Sequence, residues 1–265
     1  MEVVIIGAGN VATVLGKLIV NRGHKVTQVF SQRLLNATQL ANQIGAVAIN
    51  NLDKISLSAD IYIIAVVDNA IASVAASLQV GNKLLLHTSG TISKDILKGS
   101  SVNYGVLWPL QTLRKEITVQ PEIPFVVDGS TEEVKTAIEA FAAQLSAIVI
   151  KADEDEKRKL HIAAVFASNF VNHFYVLTEN YCKKEHIDFK LLVPLIIETA
   201  ERIKNYSPSE VQTGPAVRGD TVTIDKHLHD LEQYPFLRKL YLIITNSIKQ
   251  LQCYKNPRQN NQTGI

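Results

Sequence analysis

Cysteine and net charge are both scarce in this chain of 265 residues. The two cysteines, Cys182 and Cys253, lack the spacing of metal ligands, so we expect reduced thiols in a cytoplasmic protein. Lys and Arg number 27 against 25 Asp and Glu, and a net charge of +2 gives no reason to expect nucleic acid or a membrane surface as a partner. With 46% hydrophobic and 20% charged residues, the composition is that of a globular protein, for which a small molecule is the expected partner.

The apolar stretch at residues 3–20 does not predict a membrane span. It is at the short end of the ~20 apolar residues that a spanning helix needs, and it contains Asn10 and Lys17. A secretory signal is not expected either, because only Met1 and Glu2 precede the stretch and signals begin with positive charge. The glycines in its middle indicate instead two elements joined by a turn.

This turn predicts a dinucleotide site. Val3–Ile6 is a β-branched run suited to a strand buried on both faces, and apolar residues then recur at helical spacing from Val11 to Leu18. Between them lies a GxGxxA pattern, whose glycines permit a tight turn and the close approach of a pyrophosphate, while the helix amides and dipole favour an anion. The residues expected to bind the cofactor here are Gly7, Gly9, Asn10, Val11 and Ala12. The alternative is a plain glycine turn in a βαβ unit.

The end of the second predicted strand, Val26–Phe30, lacks an acidic residue. NAD sites usually place Asp or Glu there, about 20 residues after the glycines, to bind the ribose 2′-hydroxyl. Here Ser31 and Arg33 follow the strand, and no acid occurs before Asp53. A hydroxyl and a guanidinium suit a 2′-phosphate, so the predicted cofactor is NADP(H). The alternative for Arg33 is a solvated residue at the start of the next helix.

The pattern along the chain predicts two domains. Strand-like runs alternate with helical ones up to residue 152, which indicates an α/β, doubly wound Rossmann-like sheet of parallel strands. The predicted strands after the first two are 46–49, 61–67, 83–87, 104–107, 125–128 and 147–150. Helices follow at 154–184, which has neither Gly nor Pro, and at 189–205, 224–231 and 235–253, before a polar, frayed tail at 254–265. We therefore expect a dinucleotide-binding domain, 1–152, and an all-helical substrate and dimerisation domain, 153–265.

The helical half carries more hydrophobic side chains than one small domain can cover. The residues on which this depends are Leu191, Leu192, Leu195, Ile196 and the run 237–244. They predict a homodimer built on this half of the chain.

Polar residues follow three strands of the predicted sheet, in the segments 67–69, 87–90 and 108–112. Ligands of doubly wound sheets bind outside the carboxyl ends of the strands, so these segments are expected at one rim. From the first two we expect cofactor contacts by Val67, Asp68, Thr88 and Ser89. The alternatives are that Asp68 caps the helix after it and that Ser89 only forms a turn.

The long predicted helix carries a polar stripe among apolar neighbours. His161, Ser168 and Asn172 lie close to one face, with Asn169 beside them. The stripe must be hydrogen-bonded or line a cavity, because burial of an unpaired polar group costs ~1 to 3 kcal/mol. We expect His161 and Asn169 to be catalytic; for His161 the alternative is a hydrogen-bonded interior histidine.

A second unusual segment is Thr213–Asp220, which has two glycines and a proline between helices. It makes Arg218 and Asp220 available to a carboxylate or phosphate, and Arg218 is the third expected catalytic residue. No metal site is expected at His227 and His229, because side chains two apart on a helix diverge.

Together these motifs resemble one family. The GAGNVA turn, FSQR, HTSG, WPLQT, the HIAAVFASNF helix and TGPAVRGD are similar to bacterial Rossmann-like proteins with a C-terminal DUF2520 domain, over nearly the whole chain. More distantly the chain resembles pyrroline-5-carboxylate reductases and β-hydroxyacid dehydrogenases. The resemblance implies an NADP-dependent oxidoreductase whose helical domain serves dimerisation and substrate binding.

One position departs from the distant relatives. The β-hydroxyacid dehydrogenases have a catalytic lysine four residues before an asparagine of their first long helix, and if Asn169 is that asparagine, the lysine position holds Val165. Val165 cannot transfer a proton, so reduction of a C=N bond, or another acid such as His161, is expected instead. The expected function is NADP(H)-dependent reduction of a small, anionic carbonyl or imine substrate. The alternative is a non-catalytic NADP(H)-binding regulator.

Overall fold

The computed structural model describes residues 1–117 and 121–255. Contacts divide the chain into two compact units, Met1–Val171 and a second that begins at Asn172. The side chain of Cys253 and nearly all of the predicted frayed tail, 254–265, lie outside the described residues.

The first unit is built on one sheet of eight strands in the order β3-β2-β1-β4-β5-β6-β7-β8. Residues alternate between its two faces, so Val3 and Ile5 join one hydrophobic cluster while Val4 and Ile6 join the other. The first strand is thus buried on both faces, as the β-branched run Val3–Ile6 predicts. The strands are β1 (Glu2–Ile6), β2 (Lys25–Phe30), β3 (Val47–Ile49), β4 (Ile61–Ile64), β5 (Gly81–His87), β6 (Ser101–Pro109), β7 (Phe125–Gly129) and β8 (Val149–Lys151).

The sheet is not wholly parallel, and the prediction is wrong at its seventh strand. β7 runs antiparallel to β6, whereas the other neighbouring pairs are parallel. A parallel neighbour requires a crossover, usually a helix, and the described residues between β6 and β7 form none. The carboxyl ends of β1, β2, β4, β5 and β6 still share one rim, so the predicted ligand side of the sheet is retained.

Helices cover both faces of the sheet. The helix α1 ends where Gly23 adopts a left-handed backbone with φ 83°, as predicted from its position. The helices of this unit are α1 (Asn10–Asn21), α2 (Leu34–Ile44), α3 (Asp68–Ala76), α4 (Glu132–Leu145) and α5 (Glu154–Ala164). Their alternation with strands confirms the predicted doubly wound α/β fold.

The predicted long helix, Glu154–Lys184, is continuous. It begins with a capping box, in which Asp153 and Glu156 each accept the other's backbone N–H at 2.9 Å. A π-helical segment, Val165–Phe170, separates α5 from α6 (Val171–Lys184), and such segments occur frequently at functional sites. By length and composition alone this helix is apolar enough to cross a membrane, a criterion that a helix packed against protein also meets.

The described part of the second unit is helical and contains no strand. Its further helices are α7 (Val193–Arg202), α8 (Pro215–Arg218), α9 (Thr221–Asp230) and α10 (Pro235–Lys255). Little of this unit is buried: α7 has no buried residue, and in α6 only Cys182 is buried. The hydrophobic clusters of the described residues all belong to the first unit.

Candidate functional site

The turn between β1 and α1 has the geometry of an anion cradle. A Cβ atom at Gly7, where φ is 131°, would lie 2.2 Å from the carbonyl oxygen of Ala65, so only glycine fits. Gly9 differs, because no atom lies within 4 Å of the position of its missing Cβ. As the N-cap of α1 it provides no side-chain cap, and the first turn contains no acid. The first amides of the helix, at Asn10, Val11 and Ala12, thus have no side-chain cap, an arrangement that suits a pyrophosphate.

Asn10 also connects this turn to the loop after β6. Its Oδ1 accepts the backbone N–H of Lys115 at 3.3 Å. The side chain thus stabilises the entrance of the cradle, while its own backbone amide stays at the start of α1.

The end of β2 suits a phosphate. Ser31 donates its backbone N–H to Ile49 at 3.1 Å, which leaves its hydroxyl outside the ladder. Arg33 is the N-cap of α2 by its backbone only, and among the described residues its exposed guanidinium has neither a hydrogen bond nor an ion pair. A free, planar guanidinium beside a hydroxyl is a suitable pair of donors for a 2′-phosphate.

Arg33→Ala should therefore change cofactor preference more than cofactor binding. We expect the Kd of NADPH to rise about tenfold to a hundredfold, the typical loss of a charge-assisted phosphate contact, while the Kd of NADH changes little. Calorimetric titration with both cofactors measures this, with the exposed Arg158→Ala as the control. Equal affinity of the unsubstituted protein for NADPH and NADH would contradict the assignment.

The loops after β4 and β5 are joined through Asp68. Its carboxylate accepts the hydroxyls of Ser89 and Thr91 at 2.8 and 2.9 Å. Asp68 does not cap α3, because the N-cap is Val67 and no side chain caps it. Val67 itself is exposed, since β4 ends at Ile64, before the predicted end of this strand.

Ser89 is buried and forms a turn as well as the contact with Asp68. Its hydroxyl oxygen accepts the N–H groups of Thr91 and Ile92 at 3.2 Å, and its own N–H is donated to Nδ1 of His87 at 3.2 Å. Thr88 is also buried and donates its N–H to Ile64 of β4 at 3.2 Å. The HTSG segment, residues 87–90, is therefore held on both sides and forms a firm wall of the rim.

Gly90 connects this wall to an aromatic pair. A Cβ atom there would lie 2.5 Å from the indole of Trp108, so glycine is required for the contact. On its other side Trp108 packs against His161 of α5, with ring centroids 5.8 Å apart and planes inclined by 41°. The chain thus brings the ends of β5 and β6 and the polar side of α5 together within the first unit.

A cavity of about 410 Å³ opens beside this pair. Both His161 and Asn169 line it, and the hydroxyls of Thr112 and Ser168 lie 3.1 Å apart at its edge. Ser168 and Asn169 belong to the π-helical segment, which carries them to the cavity. The described lining contains no Lys, Arg, Asp or Glu: Trp108, Leu110, Gln111, Thr112, Leu160, His161, Ala163, Ala164, Val165, Ala167, Ser168 and Asn169.

Arg218 lies in the second unit, at the end of α8. Two glycines with positive φ bracket this short helix, Gly214 at 112° and Gly219 at 67°, which accounts for the glycines of the TGPAVRGD segment. Asp220 caps α9 by accepting the N–H of Thr223 at 3.1 Å, and this bond and the Thr223 hydroxyl hold the pKa of Asp220 below its usual value. Its carboxylate thus has a structural role that the sequence pattern did not indicate.

The two histidines of α9 have separate partners. Nδ1 of His227 lies 3.0 Å from the hydroxyl of Tyr241, and Nδ1 of His229 lies 3.3 Å from Glu232. No group of three metal-type ligands occurs among the residues that the structure describes.

Two buried charged residues escape the sequence analysis, Asp128 and Lys157. They form an ion pair of 3.2 Å inside the first unit. The signal was available for Asp128, since an acid inside the strand FVVDG is unusual, but nothing in the sequence indicates its partner on α5.

The fold and the turn define a dinucleotide-binding class of protein. Residues 2–89 match the family model "NADP oxidoreductase coenzyme F420-dependent", and residues 123–248 match "Domain of unknown function (DUF2520)". The "putative NADP oxidoreductase" of Bacteroides fragilis is 36% identical, with a TM-score of 0.85 over 94% of this chain and 98% of that one. The chain belongs to this NADP oxidoreductase family with a DUF2520 domain, and its cofactor is NADP, as predicted.

More distant structures share the fold. A 1-pyrroline-5-carboxylate reductase of Streptococcus pyogenes is 14% identical, with a TM-score of 0.65 over 94% of this chain and 98% of that one. A reductive aminase of Aspergillus terreus, solved with NADPH and ethyl-5-oxohexanoate, is 13% identical, with a TM-score of 0.69 over 97% and 94%. No curated protein matches the sequence.

Proposed function

We propose that the protein is an NADPH-dependent reductase of a small, anionic carbonyl or imine compound. The observation that carries the proposal is the cavity beside the Trp108–His161 pair, which lies at the same rim of the sheet as the anion cradle. NADPH, when bound, supplies a hydride. The amides at the start of α1 hold its pyrophosphate, and Ser31 and Arg33 hold its 2′-phosphate.

The reduction also needs a proton on the substrate's oxygen or nitrogen. In the described lining of the cavity His161 is the side chain that we assign as general acid. Its ring is oriented by Trp108, and Asn169 donates or accepts hydrogen bonds to orient the substrate. Val165 also lines the cavity and cannot supply a proton, so the proton comes from His161 or arrives with the substrate as a protonated C=N bond.

We assign recognition of the substrate's anion to Arg218. The assignment rests on the sequence, in which Arg218 belongs to the TGPAVRGD segment between two helices. Arg is suited to the task because its planar guanidinium binds a carboxylate through two parallel hydrogen bonds.

Kinetics of two variants test these roles once NADPH oxidation has been detected with a panel of imino and keto acids. Arg218→Ala should raise KM about tenfold or more with kcat nearly unchanged, and His161→Ala should lower kcat about a hundredfold with the same NADPH affinity. Arg158→Ala and His229→Ala, both exposed elsewhere, are the matched controls. Wild-type kinetics in both test variants would remove both residues from the mechanism.

The second candidate is a non-catalytic NADP(H)-binding regulator, cytoplasmic like the reductase. It is favoured by the described cavity lining, which offers no lysine or carboxylate as proton donor. Tight NADPH binding without oxidation by any compound of the panel is the result that distinguishes it from the reductase.

We also propose that the protein is a homodimer formed through the second unit. Large apolar side chains are exposed along α6, α7 and α10, and the described residues of the unit form no hydrophobic cluster of their own. An apolar groove of about 360 Å³ runs between α6, the turn at residues 213–216 and α10. A second copy of the same apolar helices would cover these surfaces and supply the missing core. Among the exposed side chains are Phe174, Leu195, Ile197, Phe236, Ile243 and Leu251.

A further inference from the structure

A cluster of buried charges lies behind the HTSG segment. His87 on β5, Val106 on β6 and Asp128 on β7 are paired across neighbouring strands, so their side chains share one face of the sheet. Lys157 of α5 reaches this face, and its Nζ lies 3.2 Å from Oδ2 of Asp128. The side chains of Lys157 and Asp128 are each 2% exposed, and His87 is fully buried. Charges at this depth are costly unless they are paired.

Asp128 is shared between two ammonium groups. Its Oδ2 also accepts from Nζ of Lys94 at 3.0 Å, while its Oδ1 accepts the backbone N–H of Gly129 at 2.9 Å. Burial lowers the pKa of Lys157, and Asp128 acts in the opposite direction. The carboxylate thus carries two cations, and Nζ of Lys157, although paired in charge with Asp128, is a buried atom without a hydrogen-bond partner among the described residues.

His87 is held neutral in this environment. Burial, and next the charge of Lys157, lower its pKa to about 4, although the Ser93 carbonyl, Asp68 and Asp128 favour the proton. Nδ1 of the neutral ring accepts the Ser89 N–H at 3.2 Å. Protonation would convert this acceptor into a donor and remove the bond.

The hydrogen bond from Ser89 to His87 connects His87 to several other residues of the rim. Ser89 donates its hydroxyl to Asp68. The residue after Ser89 is Gly90, which packs against Trp108, and Trp108 in turn packs against His161. A change at His87 is therefore transmitted through adjoining contacts to the segment expected to bind the cofactor and to the cavity wall.

We propose that His87 is a positioning residue: kept neutral by its burial and by the charge of Lys157, it accepts the Ser89 amide and fixes the HTSG segment at the rim. His87 is not among the residues that line the cavity, and it acts through Ser89. The proposal rests on the proposed function only in using NADPH as one of its probes.

Fluorescence of Trp108, the only tryptophan of the chain, reports on the segment directly. All proteins in the test carry His161→Asn, because the ring of His161 packs against Trp108 and would contribute to its emission. Lys157→Met leaves Asp128 paired with Lys94 and is expected to fold; Lys159→Met, an exposed lysine of the same helix, is the control. Emission and NADPH affinity are measured between about pH 4 and pH 8.

Trp108 emission should change over the pH range in which His87 gains its proton. Lys157→Met should move the midpoint of this acid transition upward by about one pH unit, as expected for loss of a nearby charge, and should weaken the binding of NADPH about tenfold at the acidic end. Lys159→Met should match its parent. Adding His87→Asn to Lys157→Met should remove the transition and restore affinity, because Asn accepts the amide two residues later without titrating. An unshifted transition in Lys157→Met, or one that persists with His87→Asn, would overturn the proposal.

Two further outcomes are also decisive. If circular dichroism shows that Lys157→Met does not fold, His87→Leu and His87→Asn are compared with Lys157 intact, and equal NADPH affinities of the two overturn the proposal. If no variant binds NADPH, the proposed function fails, and the emission titration alone decides the role of His87.

Discussion

Gly9→Asp should abolish tight NADPH binding while leaving the fold intact or more stable. The position of its missing Cβ is open, and its backbone, with φ −83° and ψ −166°, is in a region that any residue adopts. Asp at an N-cap accepts helix amides and stabilises the helix by a few tenths of a kcal/mol relative to glycine. The same carboxylate would occupy the place of the pyrophosphate and repel it, so we expect the Kd of NADPH to rise about a hundredfold or more.

Thermal unfolding and calorimetric titration of the same samples check this prediction. Gly9→Asn is the matched variant, because it caps the helix with a side chain of the same size without the charge. We expect the Kd of NADPH to rise less in Gly9→Asn than in Gly9→Asp. Unchanged NADPH affinity in Gly9→Asp would show that the cofactor does not lie on this turn.

Leu195→Asp should dissociate the proposed dimer and lower its stability. Leu195 is 61% exposed on α7, so in a monomer the substitution would place a charge in water at almost no cost. Within an apolar interface the same charge is desolvated without a partner, and we expect the dimer Kd to rise about a hundredfold. Because the described second unit has no hydrophobic cluster, we also expect a lower Tm, which should depend on protein concentration in the unsubstituted protein.

Sedimentation velocity at several concentrations measures this effect. Leu35→Asp is the control, since Leu35 is 69% exposed on α2 of the first unit and lies outside the proposed interface. A monomeric unsubstituted protein at micromolar concentration, or an unchanged dimer with Leu195→Asp, would contradict the proposed interface.

Local patterns predict the parts of the fold that depend on neighbouring residues. The strand Val3–Ile6, the glycine turn, the helix stop at Gly23 and the continuous helix 154–184 each follow from backbone freedom or side-chain spacing within one element. The direction of β7 does not, because it depends on how the chain returns after β6, and the residues of β7 are equally suited to either direction.

In the candidate site, too, some features depend on neighbouring residues and others on distant ones. The prediction of the phosphate side of the cofactor site depends on Gly9 and Arg33, each of which belongs to one turn or one strand end. The wall of the cavity depends on distant partners: Gly90 is fixed by Trp108, and Asp128 is paired with Lys157, across long stretches of sequence. A single sequence shows the residue types but not which of them meet, so the buried ion pair could not be predicted.

The transfer of hydride from NADPH is the central claim and can be followed directly with an isotope. NADPH deuterated at C4 of the nicotinamide is incubated with the protein and the panel of imino and keto acids, and the products are analysed by mass spectrometry. The account predicts one deuterium in the reduced product of at least one compound, and much less in Gly9→Asp. Tight binding of NADPH without deuterium in any product would contradict a reductase and leave the NADP(H)-binding regulator.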